Sequence, residues 1–563
     1  MCGIFAFIKN TSQFSIPSDL VQQLLYGWGC GKGRGPENSI MKYYDYGMLG
    51  FHRLAINGLD DISNQPLEKD DCVLICNGEI YNYKELYAQL DVVPKTHSDC
   101  EVIIDMYNKY GIDYTLQNLD GVFAFILFDT KKQKIIAARD PFGVRPMYYC
   151  SNKDGHCFAS EFKQLSFLID DEHDYESDYG QFEPGTYSCF DVDEEGIINL
   201  TRKNKKYAEF QFQANYNFVP DSALDVDVPM NIHYYQTYHN LCAAVRKRVE
   251  NTDRPIACLL SGGLDSSLIA ALVKKFLPSD IVLETYSIGM SGASDFKYAQ
   301  MVADHIGSKH TEVVVSEEEF FNAIPKVIQS ISSYDTTTVR ASVGNYLIGK
   351  YISKHSNAKV IFNGDGSDEL TGGYMYFHYC PDSITFDYEC KRLLSNIHHF
   401  DGLRSDRCIS SHGLESRTPF LDRSFVHAYL TIPVNIRNHN IAGCQEKYLL
   451  RRSIEIYDTT LLPQEILWRK KEAFSDGVSS ENNSWHNIIQ SRVAGDSTEP
   501  MDDNVDEVKD NAPITLEQKY YRRIFEKYYY GYGSIIPYFW MPKFCHAIDA
   551  SARTLGVYQN TNI

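Results

Sequence analysis

Residues 254–276 read RPIACLLSGGLDSSLIAALVKKF, and no other stretch restricts the fold as tightly. An apolar run, Ile256–Leu260, enters a glycine turn and leaves it as a helix with Leu264, Leu268, Leu272 and Phe276 at helical spacing. Further short apolar runs, TYSIGM, TEVVVS and AKVIFNGDG, alternate with helical stretches downstream. Alternation of this kind predicts a doubly wound parallel sheet covered by helices. In such a sheet, ligands bind beyond the carboxyl ends of the strands. Three glycine-bearing loops are expected there: SGGLDSS, SIGM and NGDGSDELTGGY.

The first 205 residues follow a different rhythm. Short β-type runs (GMLGFHRLAING, DCVLICNGEIYN, GVFAFILFDT, KIIAARDPFG) are separated by turn residues at short intervals, as in packed antiparallel sheets. One amphipathic helix interrupts them, SDCEVIIDMYNKYG, with Val102, Ile103, Met106 and Tyr110 on one face and Gly111 ending it. A chain of 563 residues exceeds a single hydrophobic core. The composition change therefore divides it into a first domain over 2–205, a linker over 206–235, a second domain over 236–553 and a poorly ordered tail over 554–563. Within the second domain, residues 494–512 are acidic and turn-rich and read as a mobile loop.

A formal charge of −20 argues against nucleic acid or an anionic membrane as partner, since both require a basic face. No apolar stretch approaches the ~20 residues that span a bilayer. The fifteen cysteines are scattered, with no CxxC pair. They read as reduced thiols in a cytoplasmic protein, and structural zinc is not expected.

Cys2 stands directly behind the initiator methionine, before the apolar run Ile4–Ile8. Removal of Met1 gives a thiol and a free α-amine on one residue. An amine of pKa about 7.7–8.0 is partly free base at neutral pH and can activate the thiol without a histidine. Alone, a small second residue means little. FHRLAING ends a run with Arg53, CNGEIYN ends another with Asn77, Gly78 and Glu79, and THSDCE puts Asp99 at a helix start. Singly, these read as a solvated arginine, a turn and a helix cap.

Together with GRGPE, the set resembles the class II glutamine amidotransferases, whose N-terminal cysteine attacks the glutamine side-chain amide and releases ammonia. The resemblance implies an αββα sandwich of the N-terminal-nucleophile type. It implies Arg53 on the glutamine α-carboxylate, and Asp99 and the Glu79 backbone on the α-amine. Asn77 and Gly78 would form the oxyanion hole, and Leu54, Ala55, Ile56 and Asn57 would complete the glutamine site. Family members commonly read Arg-His-Arg-Gly-Pro-Asp where this chain has GKGRGPE, so Gly33 and Glu37 depart from the pattern in a supporting loop.

In SGGLDSS, the glycines let backbone N–H groups approach an anion, and the following helix N-terminus adds partial positive charge. Ser261, Ser266 and Ser267 can donate to phosphate oxygens. Asp265 among them requires an accompanying cation, which points to Mg²⁺. A tight turn with Asp265 capping the helix is the plain alternative. The GK[ST] of a Walker A loop is absent, and SGGxDS is the signature of ATP pyrophosphatases, which adenylate carboxylates.

With SYDTTTVRAS, HGLESRTPFLD, QEKYLLR and WRKKEAFSDG behind it, the chain resembles the glutamine-hydrolysing asparagine synthetases from Cys2 to about Gly556, nearest the eukaryotic cytosolic type. The resemblance implies Leu259, Ile288, Asn363 and Gly364 around adenosine, and Ser261, Gly262, Gly263, Asp265 and Ser266 on pyrophosphate. It further implies Asp265 and Asp368 on Mg²⁺, Thr337, Thr338 and Arg340 on aspartate, and Lys471 on the leaving pyrophosphate. Without it, the threonines read as a polar helix start and Lys470–Lys471 as a solvated basic run. The substrates implied are glutamine, aspartate and ATP, and the assembly implied is a homodimer.

Two departures fall in the third loop: Asn363 replaces the usual Ser, and Asp365 replaces the usual Glu, the implied base for the incoming ammonium. The shorter side chain loses about 1.5 Å of reach, and a displacement of ~1 Å can cost on the order of 10²-fold in rate. This leaves two alternatives open: a slow or non-catalytic regulatory relative, and a β-lactam-forming synthetase of the same superfamily. The latter needs no glutaminase residues.

Overall fold

A computed structural model describes residues 1–13, 15–169, 178–209, 230–440, 443–480, 483–495, 511–547 and 549–559. Two compact units divide it: residues 1–209 with 251–254 and 410–415, and residues 210–250, 255–409 and 416–563. The first unit thus recruits two short segments from further along the chain.

Twelve strands build the first unit: β1 (Gly3–Lys9), β2 (Asn38–Tyr44), β3 (Gly47–Arg53), β4 (Leu67–Lys69), β5 (Cys72–Ile80), β6 (Gly121–Asp129), β7 (Lys134–Arg139), β8 (Tyr148–Asn152), β9 (Gly155–Ala159), β10 (Asp178–Gln181), β11 (Thr186–Val192) and β12 (Ile198–Lys206). They form two six-stranded sheets, in the orders β10-β8-β9-β1-β3-β2 and β12-β11-β7-β6-β5-β4. The strands within each sheet pair antiparallel.

The period of two explains the layering. Ile4, Ala6 and Ile8 of β1 meet Val73 and Ile75 of β5 and Ala124, Ile126 and Phe128 of β6 in the core between the sheets. The alternate residues Leu74, Cys76, Phe125 and Leu127 face the helices α2 (Tyr83–Leu90) and α3 (Val102–Tyr110). Each fully buried Leu, Ile or Phe contributes about 1.5–3 kcal/mol. On the far face of the first sheet, Trp28 of α1 (Ser18–Cys30) stacks on His52 of β3, with ring centroids 4.8 Å apart. The result is helix, sheet, sheet, helix.

The expected helix at 98–111 begins as a 3₁₀ turn, Asp99–Glu101, and continues as α3 to Gly111, whose φ of +79° ends it. Tyr110, expected on its buried face, is exposed. A further short helix, α4 (Ile112–Asn118), follows.

In the second unit, β13 (Ile256–Leu259), β14 (Glu284–Gly289), β15 (Lys309–Val314) and β16 (Val360–Phe362) pair in parallel. The sheet order is β15-β14-β13-β16-β17, with β17 spanning Glu415–Arg417. Because β14 and β16 flank β13 on opposite sides, the strand order reverses there, where doubly wound sheets open a crevice. Among the helices of this unit are α5 (Met230–Glu250), α6 (Leu264–Phe276), α7 (Asp295–Ile306), α8 (Glu317–Ile331), α9 (Thr336–His355) and α10 (Ser367–Thr371). Helix α6 is buried without a break from Ser267 to Val273, as a helix covered on all sides requires.

Of the expected linker, residues 210–229 lie outside the described residues, while β12 ends at Lys206 and α5 begins at Met230. Residues 496–510 of the acidic loop lie outside them too. The tail expected to be poorly ordered from 554 carries the short helix Gly556–Gln559, and residues 560–563 lie outside the described residues. No helix among the described residues is long and apolar enough to cross a membrane.

Candidate functional site

The first unit gathers the amidotransferase-type residues at the ends of β1, β3 and β5. All seven residues of β1 are buried, and the strand delivers Cys2 to the protein interior. The Cys2 thiol donates to the Leu54 carbonyl at 3.5 Å, and Arg34 Nε donates to the Cys2 carbonyl at 2.9 Å. Burial pushes the thiol's pKa up, against the neighbouring chain-terminal ammonium. The Met1 ammonium is itself buried, 4.0 Å from Glu415 Oε2, and burial pushes it down to about 6.

Asn77 is 1% exposed, and neither its Nδ2 nor its Oδ1 has a partner. A buried amide left in that state is costly unless something else occupies it. Next to it, a Cβ on Gly78 would lie 2.6 Å from the Val122 carbonyl oxygen, so the strand admits no side chain there. Arg53 spends three of its five donors on the loop that follows it. They go to Asp60 O at 2.8 Å, Asn64 Oδ1 at 2.7 Å and Gly58 O. Two donors are left for a ligand. Asp99 Oδ2 accepts from Ile80 N at 2.7 Å, and Glu79 Oε2 accepts from Asn57 Nδ2 at 2.6 Å.

Sequence reasoning missed what holds Leu54–Gly58 in place. Glu37 Oε2 accepts from Ala55 N at 2.8 Å, and Arg254 reaches both Glu37 Oε1 at 2.8 Å and Ala55 O at 2.7 Å. Asp253 N donates to Ile56 O at 2.9 Å, and Asp253 Oδ2 accepts from Gly58 N at 2.9 Å. The departure at Glu37 therefore has a local use, because its carboxylate ties Ala55 to Arg254. Gly33 stands with 3.4 Å between its built Cβ position and Ser411 O.

In the second unit, a cavity of about 170 Å³ opens at the carboxyl ends of β13, β14 and β16. Leu259, Ser261, Gly263, Asp265, Ser266, Ile288, Asn363, Gly364, Asp365, Asp368, Thr337 and Lys471 all line it. Gly262 does not. Its φ of +74° turns the loop, and a Cβ there would lie 2.4 Å from Ala299 N. Ser266 Oγ donates to Gly263 O at 3.2 Å, accepts from Ser261 N at 3.2 Å and lies 3.0 Å from Ser261 Oγ, which pre-shapes the turn. Ser267, 0% exposed, does not line the cavity.

Asp265 and Asp368 converge on one point. Lys447 Nζ lies 2.6 Å from Asp265 Oδ2 and 2.6 Å from Asp368 Oδ1. Lys471 Nζ donates to Asp368 Oδ2 at 2.6 Å. Against the effect of burial, the two lysines hold the Asp368 carboxyl well below the usual carboxylate range. Lys471 is pushed up by the two aspartates despite its own burial. Two carboxylates aimed at a common point are the oxygen donor set a small hard cation requires, so the residues fit Mg²⁺. Lys447 was not anticipated. It adopts φ +61° at the start of the helix Tyr448–Tyr457, a conformation unusual for a side-chain-bearing residue and one that tends to mark function.

The third loop explains its own departures. Asn363 Nδ2 donates to Ser405 Oγ at 2.7 Å and Ser416 Oγ at 3.1 Å, while its Oδ1 accepts from Asp365 N at 3.2 Å. Asp365 Oδ1 accepts from Arg404 Nη2 at 2.9 Å, and its Oδ2 has no partner. Burial, the largest influence, pushes Asp365 up against the pull of Arg404.

Thr338 does not line the cavity; it gives its backbone N–H and its hydroxyl to the helix cap Asp335, at 2.9 and 2.7 Å, and lines a smaller adjoining pocket with Thr337. Arg340 lines neither. Its guanidinium is taken up by Glu517 (Nε to Oε1, 2.8 Å) and Asp549 (Nη1 to Oδ1, 2.7 Å). His486, Glu517 and Asp549 bring ligand-type atoms together within 4.8 Å, but Arg340 already serves both carboxylates.

A glutamine amidotransferase domain profile matches residues 1–181, and an asparagine synthase profile matches residues 236–388 and 385–501. The glutamine-hydrolyzing asparagine synthetase of Gallus gallus is 40% identical over 584 aligned residues, covering 100% of this chain and 99% of that protein. The enzyme of the same name from Homo sapiens is 40% identical over 576, again covering 100% and 99%. Among solved structures, glutamine phosphoribosylpyrophosphate amidotransferase from B. subtilis aligns over 56% of this chain and 81% of its own, at 18% identity and a TM-score of 0.30. NMN synthetase from Francisella tularensis aligns over 53% of this chain and 92% of its own, at 10% identity and a TM-score of 0.24.

Proposed function

The chain belongs to the glutamine-hydrolysing asparagine synthetases, and on that premise we propose its reaction: ATP, L-aspartate and L-glutamine give L-asparagine, L-glutamate, AMP and pyrophosphate. It is a ligase with two chemistries in one polypeptide.

In the first, the Cys2 thiol, with Met1 removed and its own α-amine as base, attacks the side-chain carbon of glutamine. An α-amine of ordinary pKa, about 7.7–8.0, is partly free base at physiological pH and able to take the proton. The unpartnered Asn77 Nδ2 and the Gly78 N–H receive the oxyanion. Arg53 holds the α-carboxylate with its two remaining donors, while Asp99 and the Glu79 carbonyl hold the α-amine. Ammonia leaves, and water cleaves the glutamyl thioester to glutamate.

In the second, the β-carboxylate of aspartate attacks the α-phosphorus of ATP, expelling pyrophosphate. Ammonia then displaces AMP from the acyl-adenylate. Leu259, Ile288, Asn363 and Gly364 frame adenosine. Ser261, Gly263 and Ser266 hold the phosphates in a turn set by Gly262. Asp265 and Asp368 would hold Mg²⁺, which supplies positive charge to the triphosphate when bound. Lys471 neutralises the departing pyrophosphate. Asp365, through its free Oδ2, takes the proton of the incoming ammonium. Thr337 and Thr338 orient aspartate, and Arg340 positions their helix through Glu517 and Asp549 rather than by touching substrate.

What supports this reading most directly is the convergence of Asp265, Asp368, Lys447 and Lys471 beside the serine-glycine turn. The fifteen free cysteines suit the cytoplasm, and a homodimer is the assembly the family implies. The test follows label from the glutamine amide nitrogen into asparagine. Wild type should transfer it, whereas Cys2→Ala should not, yet should still make asparagine from ammonium. A mass spectrum of active protein with Met1 retained, or label that never reaches asparagine, overturns the proposal.

A further inference from the structure

The paired ladder of β4 and β5 ends at Leu67 opposite Leu74, before β5 reaches Asn77 and Gly78. Pro66, the residue before Leu67, has no N–H with which to continue it. The other edge of β5 stays covered, because β6 pairs with it through Cys76, Asn77 and Gly78 without a shift of register. Gln65 closes the open edge with its side chain. Its Oε1 accepts from Cys76 N at 2.6 Å, and its Nε2 donates to Cys76 O at 3.1 Å. One amide group thus makes both bonds that a strand residue opposite Cys76 would make, and it does so buried, at 6% exposure.

Backbone polar groups alternate between the two edges of a strand, so the Gly78 N–H points to the same edge as the Cys76 N–H. It lies one step beyond the rung that Gln65 supplies. Asn77, between them, carries an amide with no partner of its own, so its position is set by the backbone on either side. Asn64 directly precedes Gln65, and Asn64 Oδ1 accepts from Arg53 Nη1 at 2.7 Å. Gln65 therefore ties the end of β5 to the loop that anchors Arg53.

We propose that Gln65 is a positioning residue for glutamine hydrolysis, its side-chain amide replacing the missing rung of the sheet and fixing the oxyanion donors on Asn77 and Gly78. The inference rests on the amidotransferase reading above and adds a residue that acts through the Cys76 backbone. Without the two bonds, the edge of β5 is free to fray from Cys76 onward. A shift of ~1 Å in donors that must meet a developing oxyanion costs on the order of 10²-fold in rate. The Arg53 clamp retains its bonds to Gly58 and Asp60, so binding of glutamine suffers less than its turnover.

The experiment measures glutamate release from glutamine in full-length wild type, Gln65→Met and Gln65→Glu across pH 5.5–8, with ammonium-driven asparagine synthesis followed in parallel. Gln65→Met keeps the length of the side chain and deletes both hydrogen bonds. Its glutaminase kcat should fall on the order of 10²-fold, with the KM for glutamine raised only a few-fold and synthesis from ammonium unchanged. Gln65→Glu is the conservative rescue. A protonated carboxyl accepts from Cys76 N and donates to Cys76 O as the amide does, whereas a carboxylate has nothing to donate. Burial favours the protonated form. The kcat of Gln65→Glu, relative to wild type at the same pH, should therefore climb as pH falls, while the ratio for Gln65→Met stays flat. A wild-type kcat in Gln65→Met overturns the proposal, and so does a Gln65→Glu ratio that ignores pH. The Gln65→Glu profile carries the test alone should Gln65→Met fail to fold. Wild type releasing no glutamate would count against the amidotransferase reading instead.

Discussion

Lys447 is the side chain whose removal has the most calculable consequence. Each of the Asp265 and Asp368 carboxylates lies within 2.7 Å of its ammonium. Their facing oxygens are therefore no more than about 5.4 Å apart. At an effective dielectric constant of about 20, two unit charges at that separation repel by roughly 3 kcal/mol. Lys447→Met keeps the aliphatic stem and the same left-handed backbone cost but deletes the charge. Lys471 still contacts Asp368 at 2.6 Å and approaches Asp265 at 3.7 Å, which offsets part of the repulsion. The net loss is about 2–3 kcal/mol, or roughly 3–4 °C in the Tm of a unit this large.

The effect has two signatures that loss of packing lacks. Mg²⁺ fits between the freed carboxylates without displacing Lys447, so added Mg²⁺ raises the Tm of the variant more than that of wild type. The pH dependence follows from the depressed Asp368. Its stabilisation is present above the ordinary aspartate value near 4 and is lost as pH falls through its lower folded value. In the variant the folded pKa moves up, so the deficit narrows as pH falls toward 4. Thermal unfolding by differential scanning fluorimetry, at pH 4.5–8 with and without Mg²⁺, measures both. Equal Tm values and equal Mg²⁺ responses in the two proteins would refute the reasoning.

Asn77→Ala should cost about 10²–10³ in glutaminase kcat, measured as glutamate release, while leaving ammonium-driven synthesis intact. Glu37→Gln weakens a half-exposed pair with Arg254, so the KM for glutamine should rise only a few-fold in the same assay. Gly364→Ala places a Cβ 2.8 Å from the Asp265 backbone carbon. Aspartate-dependent pyrophosphate release should show the KM for ATP raised at least tenfold as the two loops separate. Asp365→Glu restores the family's reach, and labelled amide transfer should run at equal or greater rate.

Periodicity was enough to read β5, β6 and α6, because their faces are fixed by residues two or four apart. The loops at strand ends were equally plain, since glycines with serine and aspartate have few other uses. What periodicity cannot carry is partnership across the chain. Lys447 meets Asp265 from 182 positions away, and Arg340 finds Glu517 across 177. A lone lysine ahead of an amphipathic helix looks like any solvated lysine until the backbone angle and the two carboxylates are known. Arg340 shows the converse: its place in TTTVRAS suggested a ligand contact, whereas its guanidinium is spent on two acids. Asn363 and Asp365 looked like losses in one dimension, and Ser405, Ser416 and Arg404 give each a bonding role.

The four residues Asn251–Arg254 have a consequence for anyone wishing to dissect the protein. They sit between α5 and β13 in the chain yet group with the first unit, where Asp253 and Arg254 hold Ala55, Ile56 and Gly58. A gene truncated after codon 209 encodes every amidotransferase motif and omits the clasp on its glutamine loop. Excision by a single cut therefore yields an amidohydrolase with a slack binding loop, and only a fragment that retains or grafts the 251–254 tetrapeptide preserves the native shape of that loop.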